Sequence, residues 1–254
     1  MTHKLSVLIL AIVSNVVITS SLIAQDTDIN KLFTTALNAD DTLTISHLST
    51  QVEDIDIANH AGKTALMMAA KKGDFVLLKQ LIELGADPFK TNNNGGTTLM
   101  FAAISGEIQS IEYLLRKGID VNAQGSNGWS ALMIASAKGH TEAVELLMSA
   151  GASVNQPDVY AWTPLHRAVF ENRNDVVKLL LKDENIDIQS KDDQGATALH
   201  HAASNGNHEI VEALIQHGID SNLPDTLGRT AATYAREKGH LEIASYLETS
   251  INGQ

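Results

Sequence analysis

The feature that most constrains this chain is a repeat. A Ser or Thr followed by a short Ala- and Leu-rich stretch recurs at Thr64, Thr97, Ser130, Thr163, Thr197 and Thr230, in steps of 33, 33, 33, 34 and 33 residues. Six copies in nearly constant phase describe a stacked array, in which each unit is too small to bury its own apolar face and is completed by its neighbours. The fullest copy is Ala161-Trp162-Thr163-Pro164-Leu165-His166-Arg167-Ala168. Thr163 can cap a helix through its hydroxyl, and Pro164 takes the first helical position, where a missing N–H costs nothing. Leu165 and Ala168 then share one helical face.

The bulk composition agrees with that architecture. Aromatic residues make up 4% of the 254-residue chain, fewer than a single globular core of this size would use. A solenoid can rely on Ala, Leu, Ile and Val, because each unit packs only on its neighbours. The net charge of −12 argues against nucleic acid or an anionic membrane surface as partner. A basic or neutral partner is easier to accommodate. With no cysteine, the chain has no disulfide and no thiol chemistry.

The first 24 residues have the layout of a secretory signal peptide: Lys4, a charge-free apolar run over Leu5–Ile18, then small polar residues at Thr19–Ser21. Cleavage is expected after Ala24, with Ser21 as the alternative. No Cys follows to carry a lipid anchor, and the run is short and polar-spotted for a membrane span. The competing reading is an uncleaved anchor. No Asn-x-Ser/Thr acceptor occurs, which points to a bacterial periplasm over a eukaryotic secretory route. Residues 25–254 then form one repeat domain, with units near 28–59, 60–92, 93–125, 126–158, 159–192, 193–225 and 226–251.

Within each unit the pattern predicts two helices. Gly73, Gly106, Gly139, Gly206 and Gly239 can take a positive φ and turn the chain between them. The first unit is degenerate, with Leu32, Phe33, Ala36 and Leu37 on one face, Asp40-Asp41 at the turn, and Leu43, Ile45 and Leu48 in the second helix. The fifth unit has Asn172 at the turn, which the left-handed region tolerates. It also holds one extra residue near Lys182–Asn185, which is expected to lengthen its second helix, with Asn185 replacing the usual Gly. The last unit loses its large apolar residue at Ala232-Thr233, as a terminal cap does.

These motifs resemble the ankyrin repeat. Thr163-Pro164-Leu165-His166 is the family's tetrapeptide, and Thr197-Ala198-Leu199-His200-His201-Ala202-Ala203 is close to its longer form. Gly139-His140 and Gly239-His240 match its turn. Gly118-Ile119-Asp120-Val121-Asn122 and Gly151-Ala152-Ser153-Val154-Asn155 match its loop. The resemblance covers about residues 28–251. It implies an all-α solenoid of about seven L-shaped units, each with two helices and a β-hairpin-like finger. The fingers and inner helices would form a concave face that binds protein.

No catalytic constellation is present. Gly62-Lys63-Thr64 lacks the upstream glycine of a phosphate-binding loop, since Ile57 stands there. A metal-dependent hydrolase on His200, His201, His208 and His217 is a competing reading, but their spacing matches no common zinc signature. The resemblance places His166 and His200 as bridges to adjacent loops, and His140 and His240 lie at helix turns. Met67, Met68, Met100 and Met133 read as repeat core. No enzyme activity, metal or cofactor is expected.

One distribution is informative. Both tryptophans, Trp129 and Trp162, sit immediately before the capping residue, where other units have Lys63, Gly96, Ala196 and Arg229. By resemblance this slot faces the concave side. Trp129, Tyr160, Trp162 and Phe170 are therefore the expected protein-binding patch, since such side chains are enriched at interface hot spots. The competing reading is that these rings only pack on the next finger. The whole reading is a monomeric, exported binding module for another protein, away from the membrane once its leader is cleaved. The resemblance brings two partner classes, an envelope enzyme such as catalase or a secreted toxin held by an immunity protein.

Overall fold

The computed structural model describes residues 28–250. They form fourteen helices in seven helix-turn-helix units: α1 (Ile29–Asn38) with α2 (Thr42–Leu48), α3 (Ala65–Lys72) with α4 (Phe75–Glu83), α5 (Thr98–Ser105) with α6 (Ile108–Arg116), α7 (Ala131–Lys138) with α8 (Thr141–Ser149), α9 (Pro164–Phe170) with α10 (Asn174–Leu180), α11 (Ala198–Asn205) with α12 (His208–Gln216), and α13 (Ala231–Glu237) with α14 (Leu241–Ser250). The expected signal peptide and its cleavage sites lie outside the described residues. Among the described residues, no helix is long and apolar enough to cross a membrane.

Local chemistry starts and stops most inner helices, the last one, after Thr230, having no side-chain cap bond. The hydroxyls of Thr64, Thr97, Ser130 and Thr163 accept the backbone N–H three residues on, satisfying a donor the helix cannot. Thr163 and Thr197 also donate their own N–H groups to Nδ1 of His166 and His200, at 3.3 and 3.0 Å. At the turns, Gly73, Gly106, Gly139 and Gly206 have φ between 70° and 81°. Asn172 adopts φ 55° and Asp40 φ 53° in the same role, as short polar side chains can.

Inner helices are rich in buried alanine, including Ala69, Ala70, Ala102, Ala103, Ala135, Ala168, Ala202 and Ala203. Small side chains let neighbouring inner helices approach closely. Those helices meet along much more of their length than the outer helices do. An array whose inner rank is tighter than its outer rank bends toward the inner rank, so the fingers and inner helices line a concave side. Met67, Met68, Met100 and Met133 are buried in that stack, as their positions predict.

Two expectations need correction. Leu43 does not join the face formed by Ile45 and Leu48; it is 80% exposed. The fifth unit's second helix is shorter, not longer: α10 has seven residues, against nine in α4, α6, α8 and α12. The extra residue enters the following loop, where Asp183 N–H bonds the Leu180 carbonyl and Asp183 Oδ1 accepts the Asn185 N–H at 2.9 Å. Asn185 therefore needs no left-handed conformation. Its carbonyl still accepts the Asn155 side chain, as the Gly151 carbonyl accepts Asn122.

The fingers are stitched into a row. Each donates one backbone N–H to its predecessor: Asn93 to the Ala61 carbonyl, Ser126 to Asn94, Val159 to Asn127, Asp193 to Tyr160, and Thr226 to Gln194. Within a finger, the side-chain oxygen of Asn59, Asn92, Asp158, Asp192 or Asp225 accepts two backbone N–H groups, two and four residues on. These Asx turns fix the direction of the residue that precedes each cap.

Candidate functional site

The finger-base residue also varies together with the residue nine positions later on the inner helix. In the earlier units Asn59, Asn92 and Gly125 are followed by the apolar Met68, Phe101 and Ile134. In the later units Asp158, Asp192 and Asp225 are followed by Arg167, His201 and Tyr234, and each carboxylate binds that partner. The carboxylate thus orders its own turn with one oxygen and anchors a helix side chain with the other.

At Asp158 this anchoring builds a clamp. Arg167 Nη2 donates to Asp158 Oδ2, whose side chain is fully buried. The guanidinium carbon then stands 4.4 Å from the Trp129 ring centroid and 4.4 Å from that of Trp162. Each stack is worth about 1 kcal/mol by cation–π attraction. Two tryptophans one repeat apart are therefore joined through an arginine between them.

Trp162 continues the cluster. Its ring packs on His201 at 4.6 Å and edge-on against Phe170 at 5.2 Å. Phe170, the last residue of α9, is 49% exposed. Trp129 and Trp162 are half-buried. The structure thus brings Trp129, Trp162 and Phe170 together at the angle between fingers and inner helices. Tyr160 stands apart at the finger tip, 57% exposed, with no ring contact among the described residues. Val159 beside it is also exposed.

Arg167, Asp158 and Asp192 were missed by sequence reasoning, and His201 entered it only as a candidate metal ligand. A signal for them exists in the nine-residue spacing between a finger-base Asp and a polar helix residue, which appears only when the units are aligned. Burial alone would raise the Asp192 carboxyl, but hydrogen bonds from His201 and from the Ala196 and Gln194 N–H groups hold it below the usual range. Asp225 behaves likewise: bonds from Arg229, Tyr234 and the Leu227 N–H outweigh burial and lower it. Burial, and then the hydrogen bond to Asp225, push Tyr234 up to about 12.

The histidines divide the same way. His166 and His200 accept the Thr163 and Thr197 N–H groups at Nδ1, so a neutral ring carries its proton on Nε2. His200 Nε2 donates to the Arg229 carbonyl at 3.1 Å, bridging to the next finger as the resemblance implied. His166 Nε2 is buried with no well-formed hydrogen bond, and the Ala196 backbone, the counterpart of Arg229, acts on it only weakly, so the bridge implied for His166 is looser than that of His200. Burial, helped by the nearby His201, lowers His166 to about 4. His201, His208 and His217 face Asp192, Glu212 and the Ala213 carbonyl respectively. Among the described residues, no three His, Asp or Glu side chains gather as a metal site.

Comparison with known proteins agrees with this architecture. The family model described as Ankyrin repeats (3 copies) matches residues 32–125, 120–192 and 184–253. Espin-like protein of Homo sapiens is 44% identical over 57 residues, 22% of this chain and 6% of its own length. Notch-regulated ankyrin repeat-containing protein B of Danio rerio is 36% identical over 64 residues, 25% of this chain and 58% of its own. Alpha-latrotoxin-Lg1a of Latrodectus geometricus is 34% identical over 68 residues, 27% of this chain and 5% of its own. In each case the match spans less than two thirds of the relative. Such repeats generally bind other proteins and are generally not enzymes. With its period, caps, turns and fingers matched along nearly its whole length, the chain belongs to the ankyrin-repeat family of protein–protein interaction modules.

Proposed function

We propose that this chain is exported, loses its leader after Ala24, and acts as a monomer that docks another protein on its concave side. The observation that carries the reading is the Trp129–Arg167–Trp162 clamp, continued by Phe170 and flanked at the finger tip by Tyr160. Trp, Tyr and Arg are the side chains most enriched at binding hot spots, and Trp129, Trp162 and Arg167 are already held against one another before a partner arrives. A held side chain loses little freedom on binding. The bacterial periplasm is the proposed compartment. An envelope enzyme such as a catalase, or a secreted toxin that the chain would neutralise, are the partner classes in view.

The test is capture of partners from periplasmic extract by the wild-type chain and by Trp129→Ala, Trp162→Ala and Phe170→Ala variants. Capture of one stoichiometric protein, weakened about tenfold or more in the variants, supports the reading. Equal capture by all four chains overturns the aromatic patch. The identity of the captured protein separates enzyme support from toxin neutralisation. N-terminal sequencing of the exported protein tests the leader, since a start at Gln25 is expected and an intact Met1 overturns cleavage.

A further inference from the structure

One unit before the clamp, the concave side holds a pocket of about 230 Å³ between the third-unit and fourth-unit fingers. Two glycines create it. Gly96 occupies the slot that Trp129 and Trp162 fill in the next units, and Gly125 occupies the finger-base position that Asn or Asp fills in all the others. Without a side chain at Gly125, the Trp129 N–H of that finger donates to Asn127 Oδ1 instead. The space left is walled by Met100, Phe101, Ile104, Ile134 and Trp129, and no charged residue lines it. Amide and hydroxyl groups of Asn94, Ser126 and Asn127 rim it.

The charge around this pocket opposes that of the whole protein. Residues 58–73, 91–106 and 124–139 are the fingers and inner helices of these units. They contain Lys63, Lys71, Lys72 and Lys138 and not one Asp or Glu, on a chain of net charge −12. Lys71 is paired with Asp40 at 3.0 Å. Lys63 Nζ lies 5.8 Å from the Phe101 ring centroid, against the pocket wall; it makes no ion pair at contact distance among the described residues and feels the Asp40 carboxylate, already bonded to Lys71, only through space.

Size narrows the occupant further. A dry cavity of about 150 Å³ suffices for benzene, whereas small-molecule sites run to roughly 300–1,000 Å³. This pocket falls between the two. We propose that it seats a single aromatic or long aliphatic side chain from an acidic segment of a partner protein, with a neighbouring carboxylate of that segment paired to Lys63. The proposal rests on the concave-side docking reading and names the chemistry of what docks.

The probe is an acetylated, amidated peptide of one phenylalanine among three glutamates, titrated to millimolar concentration into the ¹⁵N-labelled chain. Expected are saturable shifts of the Gly96, Ser126 and Trp129 amides. Replacing the phenylalanine by alanine should weaken binding about tenfold or more. Replacing the glutamates by lysines should weaken it too. Gly96→Trp should abolish the shifts by filling the pocket as Trp129 fills its own slot; the Gly96 backbone permits a side chain, with only the Asn92 amide close, at 3.0 Å from the new Cβ. Lys63→Glu, a change at a half-buried surface position, should weaken binding about twofold to fivefold and carries the test if Gly96→Trp fails to fold.

No shifts at these amides, equal binding of the alanine peptide, or unchanged binding in folded Gly96→Trp or in Lys63→Glu overturns the proposal. The partner-capture experiment separates it from the broader reading. Capture that is lost with Trp162→Ala but unchanged in Gly96→Trp removes the pocket and keeps the clamp. Capture lost in Gly96→Trp alone supports the pocket and removes the clamp. Capture indifferent to both removes the concave-side reading altogether.

Discussion

The carboxylate of Asp158 holds the guanidinium of Arg167 nine residues away, and that one ion pair places the guanidinium carbon 4.4 Å from the ring centroids of both tryptophans. Asp158 Oδ1 meanwhile accepts the Tyr160 and Trp162 N–H groups at 2.8 and 2.9 Å, so a single side chain orders the finger and the clamp together. Asp158→Ala leaves Arg167 with an uncompensated charge at a position where its side chain is only 16% exposed. The expected cost is about 3 kcal/mol. Arg167→Ala strands a fully buried carboxylate that keeps its two N–H donors, and should cost a similar amount, about 3 kcal/mol. Urea titrations of both single variants and the double variant measure this. Additive costs would show that the two residues are not coupled.

His166 predicts a pH dependence of stability. Its folded pKa of about 4 lies below the unfolded value of 6.5, because burial disfavours the charged ring. The unfolded chain therefore binds the extra proton between those values. The stabilisation is fully present above pH 6.5 and is lost as pH falls toward 4. About 2 kcal/mol should disappear between pH 7 and pH 5. His200, lowered by burial as well, adds to the same limb. His166→Gln keeps an acceptor at the third helical position and should flatten part of that limb, read from denaturation midpoints at the two pH values. An unchanged slope would show that His166 does not contribute to it.

Tyr234 gives the opposite limb. Its hydroxyl donates to Asp225 Oδ2 at 2.9 Å, and burial followed by that bond raises its pKa to about 12. The folded state prefers the neutral phenol, so stability holds below pH 10 and falls as pH rises toward 12. Tyr234→Phe should cost about 1–2 kcal/mol at neutral pH and reduce the alkaline loss. Absorbance titration of the phenolate in wild type and variant checks the assignment.

Ala161 occupies a left-handed position, φ 60°, where the other fingers have Gly62, Gly95, Gly128, Gly195 and Gly228. An L side chain there is strained, so Ala161→Gly should stabilise the chain by about 1 kcal/mol. The reverse change is expected to be worse than the strain alone. A Cβ on Gly128 would come within 2.7 Å of the Asp158 Cα, so Gly128→Ala should destabilise by about 2 kcal/mol or more. Thermal melts of the two variants test the pair; a destabilising Ala161→Gly would mean that the finger tip gains more from the methyl group than it loses in strain.

Much of this protein was legible before any coordinate. The 33-residue step, the Thr and Ser caps, the turn glycines and the buried methionines follow from short-range chemistry that repeats in register. Each such signal involves residues within one turn or one helix, so spacing alone reveals it. Asn172 could be assigned to its left-handed turn by comparison with the glycines of its sister units.

The site was only half legible, because its contacts run between units. Trp129 and Trp162 are found by their slot, yet what joins them is Arg167, a side chain that no local rule directs toward an indole in the preceding unit. The pocket at Gly96 is an absence of two side chains, and only the approach of two fingers turns that absence into a space. The extra residue of the fifth unit fits a longer helix or a longer loop equally well by length; the Asp183 turn bonds settle it as loop. The sequence by itself determined the period, the caps and the core, since those depend on dihedral preference and local burial. The tertiary structure decided the clamp, the cavity and the finger row, since those depend on how closely one unit sits on the next.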